Sequence, residues 1–193
     1  MQASPGHNLL VIGGSAGSLS MTLKIIPLLE EKMNVAVIVV FHRKSSEGNV
    51  LIELFSERTK YSVKEADEKD LISAGTIYIA PADYHVLIEK DFSISLDVSE
   101  KINYSRPSID VTFESAAEVY KNRLVCLLLS GANADGVEGL LKAKQFGSII
   151  AVQDPENAEV PFMPQEAVNK VKVDLLVSDT NITKLFQGFN RTT

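Results

Sequence analysis

Cysteine occurs once in the 193 residues, so no internal disulfide can staple the chain. Cys126 lies inside the apolar run Leu124-Val125-Cys126-Leu127-Leu128-Leu129, where an inert, buried thiol is expected. Positive charge is also scarce: 19 Lys and Arg stand against 25 Asp and Glu, for a formal net charge of -6 and a pI near 5.1. A nucleic-acid binder needs clustered cations to displace counterions, and this balance argues against one. No apolar stretch approaches the roughly 18 residues of a membrane-spanning helix, and Met1 to Asn8 lacks the apolar core of a secretory signal. A soluble, cytoplasmic protein without membrane insertion is expected. Repeats and low-complexity linkers are missing as well, and with 45% hydrophobic residues the chain can fill a core. One domain over residues 1–193 is the expectation.

What the chain does have is an apolar run, Leu9-Leu10-Val11-Ile12, that breaks into Gly13-Gly14-Ser15-Ala16-Gly17 and then enters a helical pattern. It reads as strand, sharp turn and helix with a hydroxyl at the bend. Gly13-x-Ser15-x-Gly17 has the spacing of a nucleophile elbow, in which small neighbours let the backbone present a serine above the C-terminal edge of a sheet. A phosphate-cradling glycine turn or a plain connector would read the same way. The dinucleotide fingerprint is not met, because Ile12 stands where its first glycine belongs and the second strand, Val35 to Phe41, ends in His42 rather than an acid. A histidine at that strand end offers a base for the serine.

Along the chain, short β-branched runs alternate with amphipathic segments, the pattern of a doubly wound, mostly parallel α/β sheet. Helices are expected over Ser18 to Lys32 and Glu47 to Thr59, and a short third strand, at the sheet edge, over Tyr61 to Ala66. Glu65-Ala66-Asp67-Glu68-Lys69-Asp70 reads as a solvated loop rather than a metal site. A strand at Thr76 to Pro81 is followed by two runs, His85 to Glu89 and Phe92 to Leu96, that flank Lys90-Asp91 as a β-hairpin insertion. His85 is then a polar residue at a strand end. Ser105-Arg106-Pro107-Ser108-Ile109-Asp110 starts a helix, with Ser105 or Ser108 as cap and Asp110 in the favoured first turn.

The strand Leu124 to Leu129 runs into a second glycine-rich turn, Ser130 to Gly136. Strand ends of a doubly wound sheet gather on one edge, so this turn can approach Ser15 and His42, with Asp135 either orienting His42 or capping the helix that follows. Later come a strand at Ser148 to Val152, the loop Glu159 to Gln165, and a helix over Gln165 to Lys172. A last strand, Asp174 to Val177, precedes a closing helix, Asn181 to Phe189. The proline-rich loop is either a packing plug or one wall of a cleft.

Ile12-Gly-Gly-Ser-Ala-Gly, Phe41-His42, Ile77-Tyr-Ile-Ala-Pro-Ala-Asp-Tyr-His-Val, Arg106-Pro-Ser-Ile-Asp-Val, Leu129-Ser-Gly-Ala-Asn-Ala-Asp-Gly and Pro161-Phe-Met-Pro-Gln-Glu-Ala follow one another in this order. Together they resemble the catalytic domain of the chemotaxis receptor methylesterases, the CheB family, from about Asn8 to Val177. The resemblance implies a three-layer α/β/α sandwich with a hairpin insertion. It also implies hydrolysis of glutamate γ-methyl esters on the acidic cytoplasmic helices of chemoreceptors, often with glutamine deamidation, and no metal or organic cofactor. By motif, the family's catalytic serine, histidine and aspartate fall on Ser15, His42 and Asp135. Backbone N–H groups at Ala16 and in the Gly131 to Asn133 turn, Ala132 included, would hold the oxyanion.

The chain departs from the family pattern at Ala16, where Thr is usual, at Ser18, where Gly is, and at Arg43 and Ala132, where Met is. A net negative protein acting on an acidic helix needs a local positive rim, for which Arg43, Lys44 and Arg106 are expected, with Phe162 and Met163 forming an apolar cleft edge. The family's N-terminal receiver domain has no counterpart in these residues, which leaves two expectations: a domain cut from a longer chain, or a stand-alone esterase with a separate receiver or sensory protein as a second partner. Two other readings stay open: a scaffold module of a sensory complex that kept the fold but lost the chemistry, and a hydrolase of small esters or amides.

Overall fold

The computed structural model describes residues 6–43 and 48–190. The strand β1 (Asn8–Gly14) lies at the centre of a sheet in which every pairing is parallel. Beside it runs β2 (Val35–Phe41), in register Asn8↔Val35 to Gly14↔Phe41. Beyond β2 come β4 (Thr76–Ile79) and the edge strand β3 (Ser62–Glu65). On the other side of β1 lie β7 (Leu124–Leu128), β8 (Ile149–Gln153) and β9 (Leu175–Val177). The strands β5 (His85–Ile88) and β6 (Ile94–Asp97) pair antiparallel as a separate hairpin.

Two helices, α1 (Ser18–Ile25) and α2 (Gly48–Ser56), cover one face together with a 3₁₀ stretch at Ile182–Asn190. Helices α3 (Ile109–Tyr120), α4 (Val137–Gln145) and α5 (Phe162–Lys170) cover the other, with the hairpin against α3. This is the expected three-layer α/β/α sandwich. Alternation along β1 divides the core: Leu10 and Ile12 pack toward α1, while Leu9 and Val11 pack toward α3 and α4. From β1 the chain passes to β2, out to the edge strand β3 and back to β4 between them, then crosses under α3 to β7 on the other side. The switch point therefore falls between β1 and β7, where a crevice opens at the C-terminal ends of the strands.

Several boundaries differ from the pattern read in the sequence. The first helix stops at Ile25 rather than Lys32, because Pro27 has no N–H to continue the ladder and the chain tightens into a 3₁₀ turn at Ile26–Leu28. The helix α5 begins earlier than expected, at Phe162, with Pro164 inside its first turn, where a missing donor costs nothing. The closing helix is 3₁₀ rather than α. Cys126 is fully buried, and burial pushes its thiol well above the usual value, as an inert core thiol requires.

Candidate active site

Ser15 and His42 are the residues that follow the last pair of the β1–β2 ladder, Gly14↔Phe41. The His42 amide donates to Gly14 O at 3.3 Å, and the Ser15 amide donates to Ser130 O at 2.9 Å, across the switch point. The Ser15 turn is thus pinned on both sides by backbone bonds. Its sharpness does not strain Ser15, which is absent from the residues with positive φ; Gly17 takes that conformation (φ 79°) and serves as N-cap of α1. A Cβ at Gly17 would come within 2.7 Å of both Glu159 Cβ and Ser130 Oγ. Gly13 answers to packing instead, since a Cβ there would meet Ile109 Cγ2 of α3 at 2.4 Å.

Asp135 is fully buried, and its carboxylate faces four donors. His42 Nε2 lies 2.7 Å from Oδ2, which also accepts the Ile109 amide at 2.7 Å. The other oxygen, Oδ1, accepts Ser108 Oγ at 2.8 Å and the Asp110 amide at 3.1 Å. Asp135 does not cap the helix that follows it, α4, as one reading of the turn expected: it bonds His42, and it caps the N-terminus of α3 instead. Burial pushes this carboxyl up, but the bond from His42 and those from the Ile109 and Asp110 amides outweigh it and hold the group below the usual value. Among the described residues His42 is the one cationic partner in reach of this charge, through the imidazolium it can form.

Around this pair lie residues to which the sequence gave only local roles, or none. Ser108 occupies the N-cap position of α3 but makes no capping bond, because its hydroxyl is turned to Asp135. His85, 1% exposed, accepts the Ser108 amide on Nδ1 at 3.0 Å and donates from Nε2 to Glu100 O at 3.0 Å, a structural role that fixes one neutral tautomer. Ser130 Oγ donates to Ala16 O at 2.7 Å and accepts the Val160 amide at 2.9 Å, tying the Ser15 turn to the loop before α5. Asp110 sits beside Asp135, with its own oxygens on the Gly139 amide (2.7 Å) and Asn103 Nδ2 (2.9 Å). Burial raises this carboxyl, the Gly139 amide opposes it, and the Asp135 charge adds to the rise; the result is about 7. The sequence marks Asp110 only as a first-turn residue of α3, and nothing in the chain order places it against Asp135.

Among the described residues, no hydrogen bond joins Ser15 Oγ to His42, and the amides of Ala16 and Ala132 have no internal acceptor. The Gly131 amide, in the same turn as Ala132, is spent on Val160 O at 3.0 Å.

The residues expected to meet substrate are arranged differently from the expectation. Arg43 is not an open rim charge: its side chain is 3% exposed, and Nη2 donates to Glu65 Oε2 at 2.6 Å and Ala80 O at 3.0 Å. Arg106, half-buried, spends Nη1 on the Val98 and Ser99 carbonyls, both at 2.7 Å, and so holds the chain after β6. Each guanidinium turns inward because carbonyls left over at strand and loop ends need donors. Met163 is fully buried, with its Sδ and Cε filling the space beside Gly131 where a Cβ would stand, and its neighbour Phe162 takes the exposed position. Lys44 lies outside the described residues. Two surface depressions, of about 430 Å³ between the hairpin and the end of α3 and about 720 Å³ between the ends of α1 and α2, include neither Ser15, His42 nor Asp135 in their walls.

The family model described as CheB methylesterase matches residues 10–186. The chain belongs to the CheB methylesterase family. A Leptospira interrogans protein that carries the provisional name protein-glutamate methylesterase/protein-glutamine glutaminase is 39% identical over 180 residues, with 93% of each chain covered. A Thermotoga maritima protein of the same name is 31% identical over 172 residues, which are 88% of this chain but 50% of that protein. The crystal structure of the Thermotoga maritima CheB methylesterase catalytic domain superimposes with a TM-score of 0.89 at 30% identity, covering 94% of this chain and 98% of that one. The CheB-family fold is therefore shown over nearly the whole chain. No helix of the described residues is long and apolar enough to cross a membrane.

Proposed function

We propose that this chain is a protein-glutamate methylesterase that hydrolyses glutamate γ-methyl esters of chemoreceptors, with Ser15 as nucleophile, His42 as general base and Asp135 as the residue that orients it. The single observation that carries this reading is the buried 2.7 Å contact between His42 Nε2 and Asp135, on the strand end next to Ser15.

A serine hydroxyl is a weak nucleophile until a base takes its proton. An ionised Asp135 requires the proton of His42 on Nε2, which leaves the Nδ1 lone pair to accept the Ser15 proton as Oγ attacks the ester carbonyl. Histidine then carries the proton to the departing methoxide, and in a second round activates water against the acyl-enzyme. Asp135 supports the imidazolium of each round without accepting its proton. The unspent amides of Ala16 and Ala132 are the donors proposed for the oxyanion, each worth roughly 10²- to 10³-fold in rate. The same sequence with ammonia as leaving group would deamidate a glutamine side chain.

The test is methanol release from a methylated receptor by the 193-residue chain, without a phosphodonor. Ser15→Ala and His42→Ala should each lower the rate by on the order of 10⁴- to 10⁶-fold with folding intact, because triad members act as a unit. Activity of Ser15→Ala within tenfold of the parent would refute the nucleophile assignment.

A further inference from the structure

We infer that Tyr104, with Phe162 opposite it, grips the polypeptide that presents the esterified glutamate, so that recognition of this substrate is aromatic rather than electrostatic. This rests on the proposed esterase reading and adds to it the means of substrate recognition.

The chain between β6 and α3 ends in a tight turn, in which Ile102 and Ser105 exchange backbone bonds of 3.2 and 2.9 Å. The two residues at its tip, Asn103 (φ 49°) and Tyr104 (φ 61°), are both left-handed. Glycine or asparagine fits such a tip, while a tyrosine there costs on the order of 1 kcal/mol and persists only if the surroundings impose it. They do: Asn103 Nδ2 is bound to Asp110 at 2.9 Å, and Ser105 Oγ accepts Asn133 Nδ2 at 3.3 Å. Asn133 in turn accepts the Asp135 amide on Oδ1 at 3.1 Å. The turn is moored directly to the loop that carries Asp135, and it holds the Tyr104 ring 98% exposed. A fully solvated aromatic on a strained, anchored turn makes no contribution to the fold.

Phe162, 51% exposed, stands at the other end of the Ser130 to Gly136 turn, where the Met163 amide donates to Gly131 O at 2.9 Å. Two exposed aromatic rings thus bracket the turn that faces Ser15. The arginines expected as a rim are engaged elsewhere, Arg43 by Glu65 and Ala80 O and Arg106 by the Val98 and Ser99 carbonyls, and Glu159, exposed against Gly17, is negative; exposed Lys101, three residues before Tyr104, adds charge beside the ring rather than replacing it. A small ester reaches an open serine without such contacts. A polypeptide needs them, since binding remote from the reacting carbonyl is what orients it.

The experiment compares kcat/KM on a methylated receptor cytoplasmic fragment and on p-nitrophenyl acetate for the parent, Tyr104→Asn, Tyr104→Phe and Phe162→Ala. Asparagine keeps the left-handed tip and removes the ring, so the turn survives. Tyr104→Asn and Phe162→Ala should each lower kcat/KM on the receptor fragment by roughly tenfold, with the small ester changed by less than twofold and Tyr104→Phe close to the parent. Equal losses on both substrates, or no loss on the receptor fragment with an active parent, overturn the inference alone. A changed oligomeric state of Tyr104→Asn by light scattering, with receptor hydrolysis untouched, assigns the rings to a second copy and overturns it too. A parent that cleaves p-nitrophenyl acetate but releases no methanol from the receptor fragment overturns the proposed function and this inference with it.

Discussion

Asp135 serves two structures with one carboxylate, and its substitutions separate them. In Asp135→Asn one oxygen becomes an NH₂ group, which must face either His42 and the Ile109 amide or the Ser108 hydroxyl and the Asp110 amide, all donors in the parent. A loss of roughly 10⁴-fold in ester hydrolysis at neutral pH is expected, the cost of the wrong histidine tautomer. Asp135→Ala should in addition lower stability by about 3 kcal/mol or more in urea unfolding, because the Ile109 and Asp110 amides and the Ser108 hydroxyl lose their acceptor while buried. Asp110 makes the opposite contribution to pH dependence. Its native carboxyl is raised to about 7, so between the ordinary carboxyl value and about pH 7 the folded state holds a proton that the unfolded chain has released, and stability falls as pH rises through that window. Asp135, held low, gives stability that is complete above the ordinary carboxyl value and is lost as pH falls through its native one. Asp110→Asn should therefore flatten the decline between about pH 5 and 7, a difference on the order of a few kcal/mol in a urea series at stepped pH. An unchanged slope would show that Asp110 does not hold its proton.

At the scale of elements, the edge strand β3 pairs only with β4 and is tied inward by Glu65 to Arg43 after β2. The pair is lopsided, with Arg43 buried and Glu65 44% exposed, and Arg43 Nε and Nη1 are buried without a partner among the described residues. A buried, half-satisfied guanidinium is a weak source of stability. Arg43→Met, which fills a similar volume without stranded donors, should leave stability unchanged or raise it by up to about 2 kcal/mol, while Arg43→Ala should cost about 2 kcal/mol or more through the cavity. Thermal unfolding of both variants against the parent decides this, and a Met variant destabilised as much as the Ala variant would show that the ion pair holds the β3 edge. Charge reversal at Arg43 would for the same reason disturb the fold before it could report on docking.

For the whole molecule the formal charge is -6, and the two arginines flanking the site are engaged internally. An acidic receptor helix is then repelled at long range, and salt screens that repulsion. Raising ionic strength should leave kcat/KM on a methylated receptor fragment unchanged or increase it, with p-nitrophenyl acetate as the insensitive reference. A steep fall with salt would restore the positive rim expected from Arg43, Lys44 and Arg106.

The sequence by itself determined what depends on local order along the chain. Alternating apolar runs gave the parallel sheet, Gly13-x-Ser15-x-Gly17 and His42 marked two strand ends, and the ordered motifs pointed to the family and to Ser15, His42 and Asp135 together. Those residues are legible because strand ends collect on one edge of a doubly wound sheet whatever the details of its packing. Only the tertiary structure decided which partner each side chain takes. Asp135 caps α3 from 26 residues beyond Ile109, Arg43 meets a glutamate 22 residues away, and Met163 is buried where Phe162 is not. Each of these outcomes rests on a backbone donor or acceptor left over where two distant segments meet, and no periodicity in the chain records which segments those will be.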